Sequence, residues 1–293
     1  MIDRYLLRYV LAVIDQGNFS RAAAQCNVSQ PTLSAGIAKL EAELGCTLFH
    51  RSSRRVELTE AGVALARHAR RIEAEFLAAE RDIQGSGAVS TLRLGILVTI
   101  PGPWIEGYAA RLRSAGVEER VELVEGRERD LLERLARGRI DAALTILRKD
   151  DGRMKREPLL NEGYSLAMSA SHPLAGAAIV DGADLADQPM IVRRHCELLS
   201  ETSRYFTARG VRPFFPVRTT SDDRALQLVR AGMGVTVMPD GFRAPGIVRP
   251  RLTDFPFSRE IGLLFASHTD GEALLARQSL RLLTETVEAF AIG

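Results

Sequence analysis

The residues best suited to chemistry stand together at Arg193-Arg194-His195-Cys196. Two guanidiniums and an imidazole beside a thiol would favour the thiolate, the form that reacts with oxidants. The same arginines suit a carboxylate, which a planar guanidinium fork grips through two parallel hydrogen bonds. A third reading is a small thiol that merely fills space in a core. Several hydroxyls fall where strands are expected to end. Thr99 and Ile100 precede Pro101-Gly102-Pro103, Thr145 closes another apolar run, and Thr219-Thr220-Ser221 close a third. Helix-start N–H groups beside Thr99 would hold an anion or a polar ligand, although a threonine there serves equally as a cap. Behind Thr219, Asp222 and Asp223 favour a cap and would repel an anion. A second basic set, Arg51-Ser52-Ser53-Arg54-Arg55, places guanidiniums along a short polar loop, as contact with a phosphate backbone requires.

Other chemistries lack their residues. His50, His68, His172, His195 and His268 are scattered without metal-ligand spacing, and neither a phosphate-cradling loop nor a GxSxG elbow occurs. No catalytic residue, metal site or cofactor is therefore expected. No cysteine follows Cys196, which excludes a disulfide within the second half of the chain; a sulfenate, a mixed disulfide or an intermolecular bridge stays open. Cys26 and Cys46 are expected as small core residues. An odd count of three cysteines, with no export signal, points to a reducing cytoplasm. The net charge of +2 is too small to mark a nucleic-acid binder by itself, so the local cluster carries that argument. A chain of 293 residues, 46% hydrophobic, supports two or three domains with real cores.

The elements that must position these residues begin with an amphipathic helix, whose apolar face is Leu6, Val10, Val13 and Ile14. Ser20 is the expected N-cap of a short second helix, which Asn27-Val28 interrupts. Ser29 can cap a third, with Pro31 in its first turn and Gly45 at its end. Leu33, Ile37, Leu40 and Leu44 form its inner stripe. Gln30, Pro31, Thr32, Ser34, Ala35 and Lys39 are left outward: small and polar side chains that a DNA major groove accepts. From Leu65 a heptad stripe of Leu65, Ala69, Ile72, Phe76, Ala79 and Ile83 invites a partner helix, either the chain's own first helix or that of a second copy. Gly85-Ser86-Gly87 then breaks the chain.

Beyond the break, strands and helices alternate. Strands are expected at 92–97, 121–124 and 141–147, with helices at 104–113 and 130–137. A second set follows: strands at 164–168, 190–193, 217–219 and 235–238, helices at 198–209 and 222–230, and a closing helix at 272–290. This alternation predicts a mostly parallel sheet covered by helices, with a ligand at the carboxyl ends of its strands.

FSRAAA, SQPTLS, IAKLEAELG and LFHRSSRRVELTEAG, within residues 18–62, together resemble the DNA-binding domain of the LysR-type transcriptional regulators. VRAGMGVTVMP extends the resemblance, which covers essentially the whole chain. It implies a winged helix-turn-helix head (mostly α) at 1–60, then a long linker helix and hinge at 61–88 through which two chains dimerise. An α/β two-lobed, periplasmic-binding-protein-like effector domain would follow, with lobe I at 89–162 plus 267–293 and lobe II at 163–266. The implied partners are promoter DNA, further copies of the chain in a homodimer or homotetramer, RNA polymerase, and a small-molecule effector, for which the arginines suggest a carboxylate. Thr99 and His195-Cys196 are also similar to the peroxide-sensing OxyR branch, though the resolving cysteine expected a few residues on is missing and Tyr205 and Phe206 stand there. The family often has a long polar or basic residue where this chain has Ala35-Gly36, which would shift base readout to Gln30, Thr32, Ser34 and the wing. An alternative from another class is a solute-binding protein without DNA function, which would leave the N-terminal head with no role.

Overall fold

A computed structural model describes residues 2–51, 56–84, 91–149, 154–266 and 269–292. The chain forms two compact units, taken in turn. In the first, α1 (Arg4–Gln16), α2 (Phe19–Gln25) and α3 (Gln30–Leu44) precede a hairpin of β1 (Phe49–Arg51) and β2 (Val56–Leu58), and α4 (Glu60–Gln84) follows. Leu6, Val10, Val13, Ala22, Leu33, Ile37 and Leu40 close one core, on which Leu48 and Phe49 seat the hairpin. The expected cap of α2 is displaced by two residues. Asn18 Oδ1, not Ser20, accepts the N–H groups of Ser20 and Arg21 at 2.9 and 3.0 Å. Phe19 thereby enters the helix and packs edge-on against Phe49. Asn27 takes the left-handed conformation (φ 55°) that turns the chain into α3, and an asparagine tolerates it. Ser29 caps α3 through Thr32 N–H, and Gly45 ends it at φ 67°.

The hairpin pairs Phe49 with Leu58 and Arg51 with Val56 in antiparallel register. Arg54 and Arg55 lie outside the described residues, as do Gly85-Ser86-Gly87 and the side chains of Arg51 and Ile83. At the start of α4, Gly62 lies so close to Leu48 that any Cβ there would overlap the Leu48 carbonyl oxygen.

In the second unit, β3 (Thr91–Leu97), α5 (Gly102–Ser114), β4 (Arg120–Gly126), α6 (Glu128–Ala136) and β5 (Ala142–Ile146) follow the expected alternation. β6 (Lys155–Ser169), β7 (Ile179–Val180), β8 (Ile191–Arg193), α7 (Leu199–Ala208), β9 (Val217–Thr219), α8 (Asp222–Arg230) and β10 (Thr236–Pro239) come next. After β11 (Ile247–Val248), β12 (Arg251–Leu252) and β13 (Ser258–Phe265), α9 (Gly271–Leu275) and α10 (Gln278–Ile292) end the chain. The main sheet runs β10-β6-β13-β5-β3-β4. It is mixed rather than mostly parallel: β3 lies parallel to β4 and β5, whereas β13 runs antiparallel to both β5 and β6.

Two long strands, β6 and β13, are what join the two lobes. Ile261, Leu263, Leu264 and Phe265 of β13 belong to the first core, with Leu92, Leu94, Trp104 and Leu144. Pairing of β13 with β5 begins at Ile261. Tyr164, Leu166 and Met168 of β6 point into the second core, and Ala167 between them points to the opposite side, against α8. The first half of β6 reads poorly as a strand because Pro158 interrupts it. Pro158 sits opposite Gly262, where the β6–β13 register shifts, and such irregularities are where strands accept proline. The closing helix is divided: Asp270 caps α9, and α10 restarts where Glu119 receives both Arg277 and Ser279. Among the described residues no helix is long and apolar enough to cross a membrane.

Candidate DNA-binding face and effector cleft

The outer side of α3 carries the set expected for it. Gln30, Pro31, Thr32, Ala35 and Lys39 are exposed and Ser34 is half-buried. Their hydroxyls are already ordered: Ser29 Oγ lies 2.7 Å from Thr32 Oγ1, and Gln30 donates to Ser34 Oγ at 3.1 Å. A helix start with preset hydroxyls suits a groove edged with phosphates. Gly36 corrects the expected thinning of the middle turn. It faces inward, with a Cβ position 2.9 Å from the Tyr9 ring and 3.2 Å from Leu6, so it sets how closely α3 approaches α1. Of the pair, only Ala35 is exposed. Cys46, expected in the core, is exposed, because Gly45 turns the chain outward before Leu48; Cys26 is half-buried against the core.

Along α4 the apolar stripe divides. Leu65 packs on the head's own core and Ala69 is fully buried, whereas Ile72 and Phe76 are 39% and 44% exposed. Arg4 of α1 lies 4.3 Å over the Phe76 ring and pairs with Glu73 and Glu80, which holds that face in a defined orientation.

In the second unit, β3 and α5 of the first lobe face the β8–α7 turn and the start of α8 across a cleft of about 710 Å³. Ile100 and His195 line it, with Thr220 and Ser221. Both ring nitrogens of His195 are buried and have no hydrogen-bond partner among the described residues. The other sequence candidates are engaged elsewhere. Thr219 Oγ1 accepts Ser221 N–H at 3.1 Å in a local turn, and Thr145, fully buried, leaves its hydroxyl without a partner away from the cleft lining. Arg194 is exposed.

Arg193 is not the free fork a carboxylate effector would need. It is 2% exposed, and Asp222 grips one edge of it, with Nε donating to Oδ1 at 2.7 Å while Nη2 donates to Oδ2. Its Nη1 donates to the Val237 carbonyl at 2.9 Å. Burial alone would weaken its charge; Asp222 outweighs that and raises its pKa. Cys196 lies beside it, Nη1 to Sγ 3.6 Å, yet the thiol is not activated. Burial pushes its pKa up, Arg193 only partly offsets this, and Glu197 adds to the rise. The expected lowering fails because burial outweighs the pull of Arg193, and Glu197 and Asp222 add to the rise. Cys196 opens onto a different, mostly apolar cavity of about 400 Å³ within the second lobe.

The most connected side chain near the cleft was not foreseen. Arg259, on β13, donates to Glu162 Oε1 at 2.8 Å, Glu197 Oε1 at 2.5 Å and Thr99 Oγ1 at 3.0 Å, and to the Thr99 carbonyl at 3.0 Å. Thr99 is thus a lobe-joining contact, 2% exposed, rather than a residue at the cleft mouth. Burial opposes the charge of Glu197, but Arg259 and the Tyr164 hydroxyl, 2.6 Å away, bring its pKa below the ordinary carboxylate range. Nothing in the local pattern around Arg259 marks it, because its partners come from three distant segments.

Comparison with known proteins agrees with this architecture. Residues 5–63 match the bacterial regulatory helix-turn-helix protein model of the lysR family, and residues 85–288 match the LysR substrate binding domain. The chain is 34% identical over 239 residues to the hydrogen peroxide-inducible genes activator of Haemophilus influenzae, covering 80% of this chain and 79% of that one. It is 35% identical over 277 residues to a probable hydrogen peroxide-inducible genes activator of Mycobacterium avium, covering 89% and 87%. A full-length OxyR of Pseudomonas aeruginosa bearing a cysteine-to-aspartate substitution superposes with a TM-score of 0.58 at 25% identity, over 98% of this chain and 95% of that one. With a family-specific head and effector domain both matched, the chain belongs to the LysR family of DNA-binding transcriptional regulators.

Proposed function

We propose that this regulator reads its operator with the first turns of α3 and the basic hairpin, and works as a dimer joined through the exposed Ile72–Phe76 face. A dimer of such heads matches a roughly two-fold operator. Control comes from a small molecule in the cleft lined by Ile100 and His195, acting through its differential affinity for two arrangements of the protein. It does not come from a disulfide within the effector domain. The observation that carries the choice is Cys196: no other cysteine lies in that domain, and its thiol is held protonated by burial.

A second reading draws on the relatives' names and on the 3.6 Å approach of Arg193 to the sulfur. Peroxide would oxidise the Cys196 thiolate to a sulfenic acid and release hydroxide. Footprinting on promoter DNA, with and without peroxide, on the wild type and on Cys196→Ser, separates the two. The cleft reading expects a footprint indifferent to peroxide in both. A peroxide-dependent change lost in the variant establishes the sulfenate instead. Pro31→Asp or Ser34→Tyr should abolish specific footprints while weak, salt-sensitive DNA binding remains, and intact footprints would remove α3 from the interface.

A further inference from the structure

The charges around the cleft argue against a carboxylate. Its lining includes Glu106, Glu125 and Asp223, and no arginine or lysine. Asp222, also on the wall, is already matched by Arg193. Glu106 and Glu125 are exposed, and neither has an ion-pair partner among the described residues. The position where an anion would dock best is taken by the protein itself. Asp223 accepts the backbone N–H of Gly102 at the start of α5, so a carboxylate from the second lobe sits on a helix N-terminus of the first. Burial and the neighbouring Asp222 raise its pKa, a sign that negative charge is already crowded there. The start of α8 is likewise occupied, because Ser221 Oγ accepts Arg224 N–H at 3.2 Å.

We infer that this cleft binds a small organic ammonium ion with a compact apolar body, and disfavours carboxylates. The inference rests on the reading of the cleft as the effector site. The first lobe supplies an apolar wall of Ile96, Val98, Ile100, Ile105 and Leu123 for the body of the ligand. Glu106, on α5, and Glu125, on the edge strand β4, flank that wall and supply the countercharge. His195 lines the opposite wall, and its two buried ring nitrogens have no hydrogen-bond partner among the described residues. A volume of about 710 Å³ suits a molecule of modest size.

The test is calorimetric titration of the full-length protein with 2-phenylethylamine and with 3-phenylpropanoate, near-isosteric probes of opposite charge, at equal ionic strength. The ammonium probe is expected to bind at least tenfold more tightly. Glu106→Gln combined with Glu125→Gln should lower its affinity about tenfold, as two partly exposed charge pairs would. The thermal midpoint should not move, because both side chains are exposed. Equal or tighter binding of the carboxylate, an unchanged ammonium affinity in the variant, or no binding of the ammonium probe would each overturn the inference. Footprinting with the same probes keeps the two claims apart. An ammonium ion that binds through these glutamates without altering the operator footprint upholds the ligand class and removes the effector role. A carboxylate that binds more tightly than the ammonium and alters the footprint does the reverse.

Discussion

Asp222 decides what the basic cluster can do. A buried guanidinium gripped along one edge by a carboxylate is structural, and removing its partner strands a charge in the core. Asp222→Ala should therefore cost roughly 3–5 kcal/mol of effector-domain stability, read from a urea melt. Replacing the pair together with apolar residues should cost much less. Cys196, half-buried and with its pKa raised, should be alkylated by iodoacetamide more slowly than the exposed Cys46 at neutral pH, and its rate should climb with alkaline pH. Peptide mass spectrometry gives both rates. Glu197 makes a pH prediction of definite sign. Its folded pKa lies below its unfolded one, so its stabilising contribution is complete above about pH 5 and is lost as pH falls through the lowered value. Glu197→Gln should flatten the decline in thermal midpoint between about pH 5 and pH 3 relative to wild type.

Among the elements, α3 shows how local signals and close packing divide the work. Ser29 caps it, and Ser29→Ala should cost about 1 kcal/mol of head stability. Gly36 spaces it, and Gly36→Val should cost more by pushing α3 off the Tyr9 ring. Chemical denaturation of the head ranks the two. The cap, the proline turn and the inner leucines of α3 were legible because each acts within a few residues. The role of Gly36 was not, since a glycine in a helix means nothing until the facing side chain is known. The same distinction holds for the strands. β3, β4, β5 and the second half of β6 announce themselves by composition, whereas the first half of β6 and β13 are strands because each supplies the other's hydrogen bonds across a proline and a register shift.

For the whole molecule, assembly is the testable quantity. Ile72→Glu with Phe76→Glu should shift the protein from dimer to monomer in size-exclusion light scattering and weaken operator binding, while leaving the head core intact because both side chains are exposed. The sequence by itself determined the family, the order of elements, the outward face of α3 and the apolar stripe of α4. These follow from local periodicity, capping and motif spacing, which need no partner from elsewhere in the chain. Only the tertiary structure decided that Arg193 is neutralised, that Thr99 is bound by Arg259, and that the cleft is acidic. Each of those depends on charges brought together from segments far apart in sequence: Asp222 lies 29 positions from Arg193, and Thr99 lies 160 from Arg259. A charge acts through distance in space and burial, and neither is written in the order of residues.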